Sequence, residues 1–320
     1  MATLFLSRND VRGLLNMADV IEAVEQAFRH SALGKARMPA KAYLVLDQGD
    51  LRAMPAALPG SVGMKWANVH PQNPSLGLPT VMAILIYNDP ATGYPLAVMD
   101  ATDITAYRTG AATAIASRYL ARKDSHTLGI IGAGSQAYTQ LVAHAEFFDL
   151  SLIRVFDRLD AAVEELINSF PEYPLRSCSL EETVASDIVC TLTPSQEPFV
   201  RREWVAPGTH INAIGADAAG KEELEPSILK EAIIVVDDLA QASAAGEINI
   251  PIKKGLIAIE QVYATLAEII VGKKQGTIDE KVVTVFDSTG LAIEDIAVAN
   301  LVYKKAQQTG GYLSLNFVEE

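Results

Sequence analysis

Apolar positions change period along the chain, and each change predicts a different element. In residues 1–34, Val20, Ile21, Val24, Phe28 and Leu33 recur at roughly helical spacing behind a short apolar start. Ser7 has N-cap chemistry, so a strand followed by helices is expected. From Lys41 to Met99 the period falls to two, with apolar runs at 41–46, 62–69, 80–87 and 94–99. Turn residues at Asp47–Asp50, Pro59-Gly60, Pro71–Pro79 and Asp89–Gly93 separate the runs, which predicts a mostly antiparallel sheet. Asp100 or Thr102 then opens an alanine-rich helix that runs to about Arg122. Beyond it, apolar runs near 127–131, 152–156, 187–192, 209–214, 232–236 and 282–286 alternate with helical patterns, the mark of a parallel, doubly wound sheet. A last helix, Leu291 to about Gln307, is amphipathic enough to pack back on the first segment. The expected class is α/β with two domains: an α+β domain over 1–115, completed by 291–320, and the parallel sheet over 116–290.

The turn after the first parallel strand carries the most specific pattern. Gly132, Gly134 and Ala137 stand in G-x-G-x-x-A order between strand and helix, with Ala133, Ser135 and Gln136 between them. In this setting the first glycine permits a tight turn, the second lets a pyrophosphate approach the backbone, and a small third residue lets helix and strand pack closely. Free N–H groups in the helix's first turn then face an anion. Asp157 ends the next strand about 20 residues on, where a carboxylate accepts hydrogen bonds from an adenosine ribose. Together they predict a Rossmann dinucleotide site. Asp157 repels a 2′-phosphate and favours NAD, while Arg158 beside it leaves NADP open.

Composition narrows the partners. A length of 320 residues fits two domains, and 49% hydrophobic residues supply sizeable cores. A net charge of −13 disfavours binding to nucleic acid or anionic membrane. No window approaches about 18 apolar residues, and the start MATLFLSRND has neither a basic flank nor a long apolar core, so neither span nor signal peptide is expected. Cys178 and Cys190 lie in or beside apolar runs and read as reduced core residues of a cytoplasmic protein. No paired Cys or His spacing suggests a metal.

Ligands of open parallel sheets bind outside the carboxyl ends of the strands, so the residues after each strand are candidates. Asp217, in a loop of small residues, is a candidate acid or base, or a turn former. Ser288 and Thr289 either line the nicotinamide pocket or cap the last helix. Thr191 and Thr193 lie at the end of another strand. In the first domain, Arg108 interrupts the apolar stripe Ile104, Ala111, Ala112, Ile115 and Tyr119, with Thr109 next to it. A buried guanidinium needs an anion, either a structural acid or a substrate carboxylate. Lys65 is the one charge in VGMKWANV. Lys41 and Arg52 read on pattern as solvated edge charges, and His70 and His210 as loop and core histidines.

Several blocks read together resemble one family. MKWANVHPQN, GLPTVMAILIYNDPATGYPLAVMDAT, RTGAATAIASRYLA, GIIGAGSQA, GTHINAIGAD, GEIN and FDSTGLAIEDIAVA, nearly the whole chain in order, are similar to the ornithine cyclodeaminase/mu-crystallin family, and most of all to its archaeal-type alanine dehydrogenases. The resemblance implies a homodimer, with a substrate and dimerisation domain built from both chain ends and an NAD-binding domain. It implies that Lys65, Arg108 and Lys41 bind substrate, with Lys65 and Asp217 catalytic; Arg52 departs from the family's pattern and adds to the carboxylate-binding cluster. Thr109, Gly132, Ala133, Gly134, Ser135, Gln136, Asp157, Arg158, Thr191, Thr193, Ser288 and Thr289 would hold the cofactor. Cyclodeaminases of the family carry an acid, as in ELMP, where this chain has Arg52 in RAMP. Arginine would repel a distal ammonium, which favours a short neutral amino acid over ornithine. The expected reaction is NAD-dependent oxidative deamination of L-alanine. Ornithine cyclisation, imine or ketimine reduction, and nucleotide-dependent binding without turnover are the alternatives.

Overall fold

A computed structural model describes residues 2–277 and 279–316. The chain divides into two compact units, one from the chain start to Arg108 together with Leu291 onward, the other Thr109–Gly290. The first division therefore falls before the expected 115/116. Helix continues unbroken through it, so no turn residue marks the place in the sequence.

The first unit begins with β1 (Thr3–Leu6), α1 (Arg8–Leu14) and α2 (Met17–Ala32). Ser7 caps α1 in a reciprocal box with Asp10, which fixes where the helix starts. Strands β2 (Ala42–Leu46), β3 (Gly49–Leu58), β4 (Ser61–Val69), β5 (Val81–Asn88) and β6 (Pro95–Asp100) follow, and then α3 (Thr102–Leu120). The sequence pattern leaves β3 unmarked because Arg52 and Pro55 break its alternation. Pro55 is tolerated because the β2 ladder has already ended, at Ala42 opposite Ala53.

The second unit is a βα series. It contains β7 (Thr127–Ile131), α4 (Ala137–Ala145), β8 (Leu152–Phe156), α5 (Asp160–Ser169), β9 (Leu175–Ser177), α6 (Leu180–Val184), β10 (Ile188–Thr191) and β11 (His210–Ala213). After these come α7 (Pro226–Glu231), β12 (Ile233–Val236), α8 (Leu239–Ala245), α9 (Asn249–Lys253), β13 (Val262–Thr265), α10 (Leu266–Ile270) and β14 (Thr284–Asp287). The sheet runs β13-β12-β14-β11-β10-β7-β8-β9, parallel throughout. Its central strands β10, β11 and β14 are buried at every residue, as expected when helices cover both faces. The short outer strands β9 and β13 have no counterpart in the apolar pattern.

The chain then returns to the first unit with α11 (Ala292–Thr309) and β15 (Leu313–Leu315). Here the sheet order is β15-β1-β6-β5-β4-β3-β2, with β1 and β6 the parallel pair. Helix α11 packs against α2, β3 and β4, and its first eight residues are all buried.

Inside the second unit a fully buried polar chain ties α3 and α4 to the sheet. His210 bonds through Nδ1 to Thr284 Oγ1 (2.8 Å) and through Nε2 to Asn212 Oδ1 (3.1 Å). Asn212 donates to Ser117 Oγ (2.9 Å), and Ser117 bonds to His144 Nε2 (2.9 Å). His210 is thus a core histidine, as its strand position suggests. Burial pushes His144 down to about 4 and His210 to about 3 from the ordinary 6.5. Because these folded-state values are depressed, both rings stay neutral in the fold while the unfolded chain takes up protons below pH 6.5. Their contribution is complete above that pH and is lost as pH falls toward 4 and 3. Buried acids such as Asp287, pushed up to about 8 by burial, act in the opposite sense. A comparison of variants separates the two. Between pH 6 and 4.5, urea-derived stability of His210→Gln is expected to fall less steeply than wild type by ~1.4 kcal/mol per pH unit. Parallel slopes would assign the acid response to other groups.

Candidate functional site

Two constellations form, one in each unit. In the second unit the turn after β7 has the geometry of a nucleotide cradle. Gly132 sits at φ 104°, a conformation that disfavours any side chain, and a Cβ there would lie 3.2 Å from Leu192 O. Gly134 differs: a Cβ would meet no atom within 4 Å. The fold itself does not require that second glycine, so the open space above it suits a ligand. Ala137 is fully buried, Ser135 is exposed, and the buried Gln136 Oε1 has no hydrogen-bond partner among the described residues. Helix α4 begins without a side-chain cap, which leaves its first turn to an anion. Asp157 Oδ2 accepts from Ala133 N (2.8 Å) and Oδ1 from Leu159 N (3.0 Å). Its carboxylate therefore braces the turn while standing at the strand end where a ribose would lie. Arg158 is exposed beside it. An uncapped helix, an unpartnered buried oxygen and unfilled space fit a dinucleotide. Gly134→Val is expected to leave the melting temperature unchanged and to weaken NADH binding by roughly tenfold or more; a variant that binds NADH as wild type does would move the ligand elsewhere.

At the neighbouring strand ends, polar residues are held by buried acids. Glu223 accepts from Thr191 Oγ1 (2.6 Å), Thr193 N (2.8 Å), Thr193 Oγ1 (2.7 Å) and Gly215 N (2.9 Å). One carboxylate thereby fastens the loop after β10 to the loop after β11. Glu247 in turn accepts from the N–H groups of Glu223 and Leu224. Asn249 accepts from Gly220 N (3.3 Å) and donates to Lys221 O (3.1 Å). Asp217 lies on the loop these groups secure. It is half-buried and paired with Lys221 Nζ at 2.6 Å. Thr109 is buried in α3, its carbonyl accepting from Thr113 Oγ1 at 2.6 Å.

Ser288 and Thr289 are also buried. Ser288 N donates to Ala213 O (3.0 Å), and Asp237 accepts from Thr289 N (2.6 Å), Thr289 Oγ1 (3.0 Å) and Gly290 N (2.7 Å). Neither side chain caps the last helix, whose N-cap is Leu291 with no side-chain bond. That alternative is corrected: the Thr289 hydroxyl is committed to Asp237.

The first unit gathers the cations. Lys65 on β4 is 1% exposed; its Nζ donates to Asp295 Oδ1 (2.7 Å) and Thr105 Oγ1 (3.3 Å). Arg108 donates from Nε to the same Asp295 oxygen (3.1 Å) and from Nη1 to Glu294 Oε2 (2.8 Å). The anion that a buried Arg108 requires is thus supplied, within the unit, by the first turn of α11. Burial lowers Lys65 to about 8; Asp295 opposes the fall, while Arg108 and Lys41 add to it. Arg52 is buried rather than an edge charge, gripped at both oxygens by Asp50 (2.6 and 3.2 Å) with its guanidinium 5.4 Å from the Tyr43 ring centre. Lys41 is half-buried just before β2. At the entrance to the following loop, His70 is half-buried. Sequence reasoning passed over Glu294, Asp295, Glu223, Asp237 and Lys221. For Glu294 and Asp295 there was a signal: adjacent acids stand inside LAIEDIAVA, where every neighbour is apolar.

The whole chain has known relatives. Alanine dehydrogenase of Archaeoglobus fulgidus is 53% identical over 309 residues, 96% of either chain. The structure of an archaeal alanine dehydrogenase dimer with bound NAD superposes with a TM-score of 0.97 at 50% identity, covering 99% of this chain and 100% of that one. The Δ1-pyrroline-2-carboxylate reductase of Thermococcus litoralis, in complex with NADH and L-proline, gives 0.94 at 38% identity over 98% and 100% of the two chains. The sequence profile of one family matches residues 1–310; the chain belongs to the ornithine cyclodeaminase/mu-crystallin family.

Proposed function

We propose that this protein is an NAD-dependent alanine dehydrogenase, which converts L-alanine and water to pyruvate and ammonium and runs the reverse amination. The observation that carries the reading is the buried pair of cations, Lys65 and Arg108, set about one oxygen of Asp295. Buried cations at such spacing meet a substrate carboxylate with strong, charge-assisted hydrogen bonds. Likeness to the Archaeoglobus enzyme over nearly the full length of both chains supports alanine as the amino acid. Arg52, already answered by Asp50, adds no acid that would welcome a distal ammonium.

NAD, when bound, supplies the hydride acceptor. The residues that would hold it are Gly132, Ala133, Gly134, Ser135 and Gln136 at the diphosphate, Asp157 with Arg158 at the ribose, and Thr109, Thr191, Thr193, Ser288 and Thr289 toward the nicotinamide. Lys65, Arg108, Lys41 and Arg52 fix the carboxylate, which restricts the rotation of Cα and lowers the entropic part of the barrier. Asp217 takes a proton from the substrate ammonium and passes it to solvent; its freed carboxylate then takes a proton from the water that adds to the imine carbon and returns it to the nitrogen as ammonia leaves. The Lys65 ammonium would stabilise the negative charge that builds on the carbinolamine oxygen as it sheds its proton and ammonia leaves.

The same reading includes a homodimer in the cytoplasm. On the seven-stranded sheet, Val62, Met64, Trp66, Met82, Ile84 and Ile86 alternate with the buried positions and stay partly exposed, Ile84 at 49%. An apolar sheet face of this kind suits a second copy. The free cysteines Cys178 and Cys190 suit a reducing compartment, and no described helix is long and apolar enough to cross a membrane.

Absorbance at the NADH band, with NAD and either L-alanine or L-ornithine beside an ammonia assay, tests the assignment. NADH accumulating with alanine is the expected result. Ammonia from ornithine without NADH would replace it with a cyclodeaminase. Oxidation of NADH by a cyclic imine alone would make it an imine reductase, and silence throughout a binding protein.

A further inference from the structure

Nothing in the roles above uses the two acids that open α11. Asp295 is fully buried, and its Oδ2 has no hydrogen-bond partner among the described residues. A buried carboxylate without full hydrogen bonding is costly, and a hydrophobic residue of similar size would pack as well in a purely structural place. Its other oxygen sits between Lys65 Nζ at 2.7 Å and Arg108 Nε at 3.1 Å. The Thr105 hydroxyl is committed as a donor to Ala101 O (2.7 Å), so it can only accept from Lys65. Two of the three ammonium hydrogens are therefore directed by the protein, and the direction of the third follows.

Resting on the reading of Lys65 and Arg108 as a carboxylate clamp, we infer that Asp295 is the positioning residue of that clamp. It holds Lys65 as an ammonium and fixes its spacing from Arg108, so one incoming carboxylate meets both. Glu294 has the narrower part of holding Arg108 alone, through Nη1 at 2.8 Å.

The charges around Lys65 set the sign of the test. Burial is the largest influence and disfavours the ammonium; Arg108 on α3 and Lys41 before β2 push the same way, and Asp295 on α11 pushes back. Removing that opposing charge must drive Lys65 toward its neutral form. In protein carrying 13Cε-lysine, with the Lys65 resonance identified by its loss in Lys65→Arg, Asp295→Asn is expected to lower the Lys65 midpoint by about one pH unit or more. Asp295→Glu restores it, and Glu294→Gln leaves it in place. Pyruvate, titrated into the NADH complex, is expected to bind Asp295→Asn about tenfold more weakly at pH 8 while the loss shrinks toward pH 6.5. An unmoved or raised Lys65 midpoint overturns the inference, as does a loss of pyruvate affinity equal at every pH. Should Asp295→Asn not fold, 13Cγ-aspartate in the wild type decides: the Asp295 resonance must inflect at the Lys65 midpoint, and a flat trace overturns the proposal. A wild-type protein that shows the Lys65 shift yet never oxidises alanine would remove the proposed function and leave this inference standing.

Discussion

Asp217→Asn is expected to cut turnover of L-alanine by roughly 10²–10⁴-fold while leaving NADH affinity within about twofold of wild type. The size follows from losing a positioned proton acceptor. The selectivity follows from the loop. Asp217 is bonded to Lys221 at 2.6 Å, whereas the loop's path is set by Glu223, Glu247 and Asn249, none of which the substitution touches. An amide oxygen can still accept from Lys221, so the local structure survives. Activity that persisted at near wild-type levels would return Asp217 to the role of a turn residue.

The second large effect belongs to Arg108, and the structure changes how it is best tested. Alanine at this position would take from the buried Glu294 and Asp295 the guanidinium they share, leaving Asp295 to Lys65, at a cost of about 3–5 kcal/mol of stability. A loss of activity in Arg108→Ala would then confuse folding with binding. Arg108→Lys keeps the charge and loses the planar fork that engages two acids at once through Nε and Nη1. It is expected to lower kcat/KM for pyruvate by roughly 10–100-fold, the worth of one charged hydrogen bond of about 1.5–3 kcal/mol, with NADH binding unchanged. An unaltered kcat/KM would place Arg108 among the structural ion pairs.

Much of this arrangement was legible in the sequence because it is local. Period-two and period-3.6 patterns marked most strands and the long helices, and Gly132, Gly134 and Asp157 fall within one βαβ unit, where spacing alone fixes geometry. The elements that escaped are those whose signal is weak for a physical reason. Strand β3 carries Arg52 and Pro55, and β9 and β13 are too short to show a period. The site escaped where it depends on contacts between distant positions. Arg108 visibly interrupts an apolar stripe, so its need for an anion could be read, but the identity of that anion lies 187 positions further on, in Asp295. Likewise Thr191, Thr193 and Asp217 could be placed at strand ends by counting. That one acid, Glu223, ties both loops together needed coordinates.

The assembly of the first unit from both chain ends bears on biosynthesis. Lys65 leaves the ribosome 230 residues before Asp295, the acid that answers its charge. Through most of translation β4 must carry an ammonium destined for the interior with no counter-ion available, while the second unit, one continuous stretch, can complete its own core. The order of folding is therefore set from the inserted segment outward. A chain truncated before Leu291 and released from the ribosome is expected to resist limited proteolysis over Thr109–Gly290 and to be cleaved freely in its first hundred or so residues. The buried lysine acts as a check on completeness, since the unit that holds it cannot close until the last helix has been made.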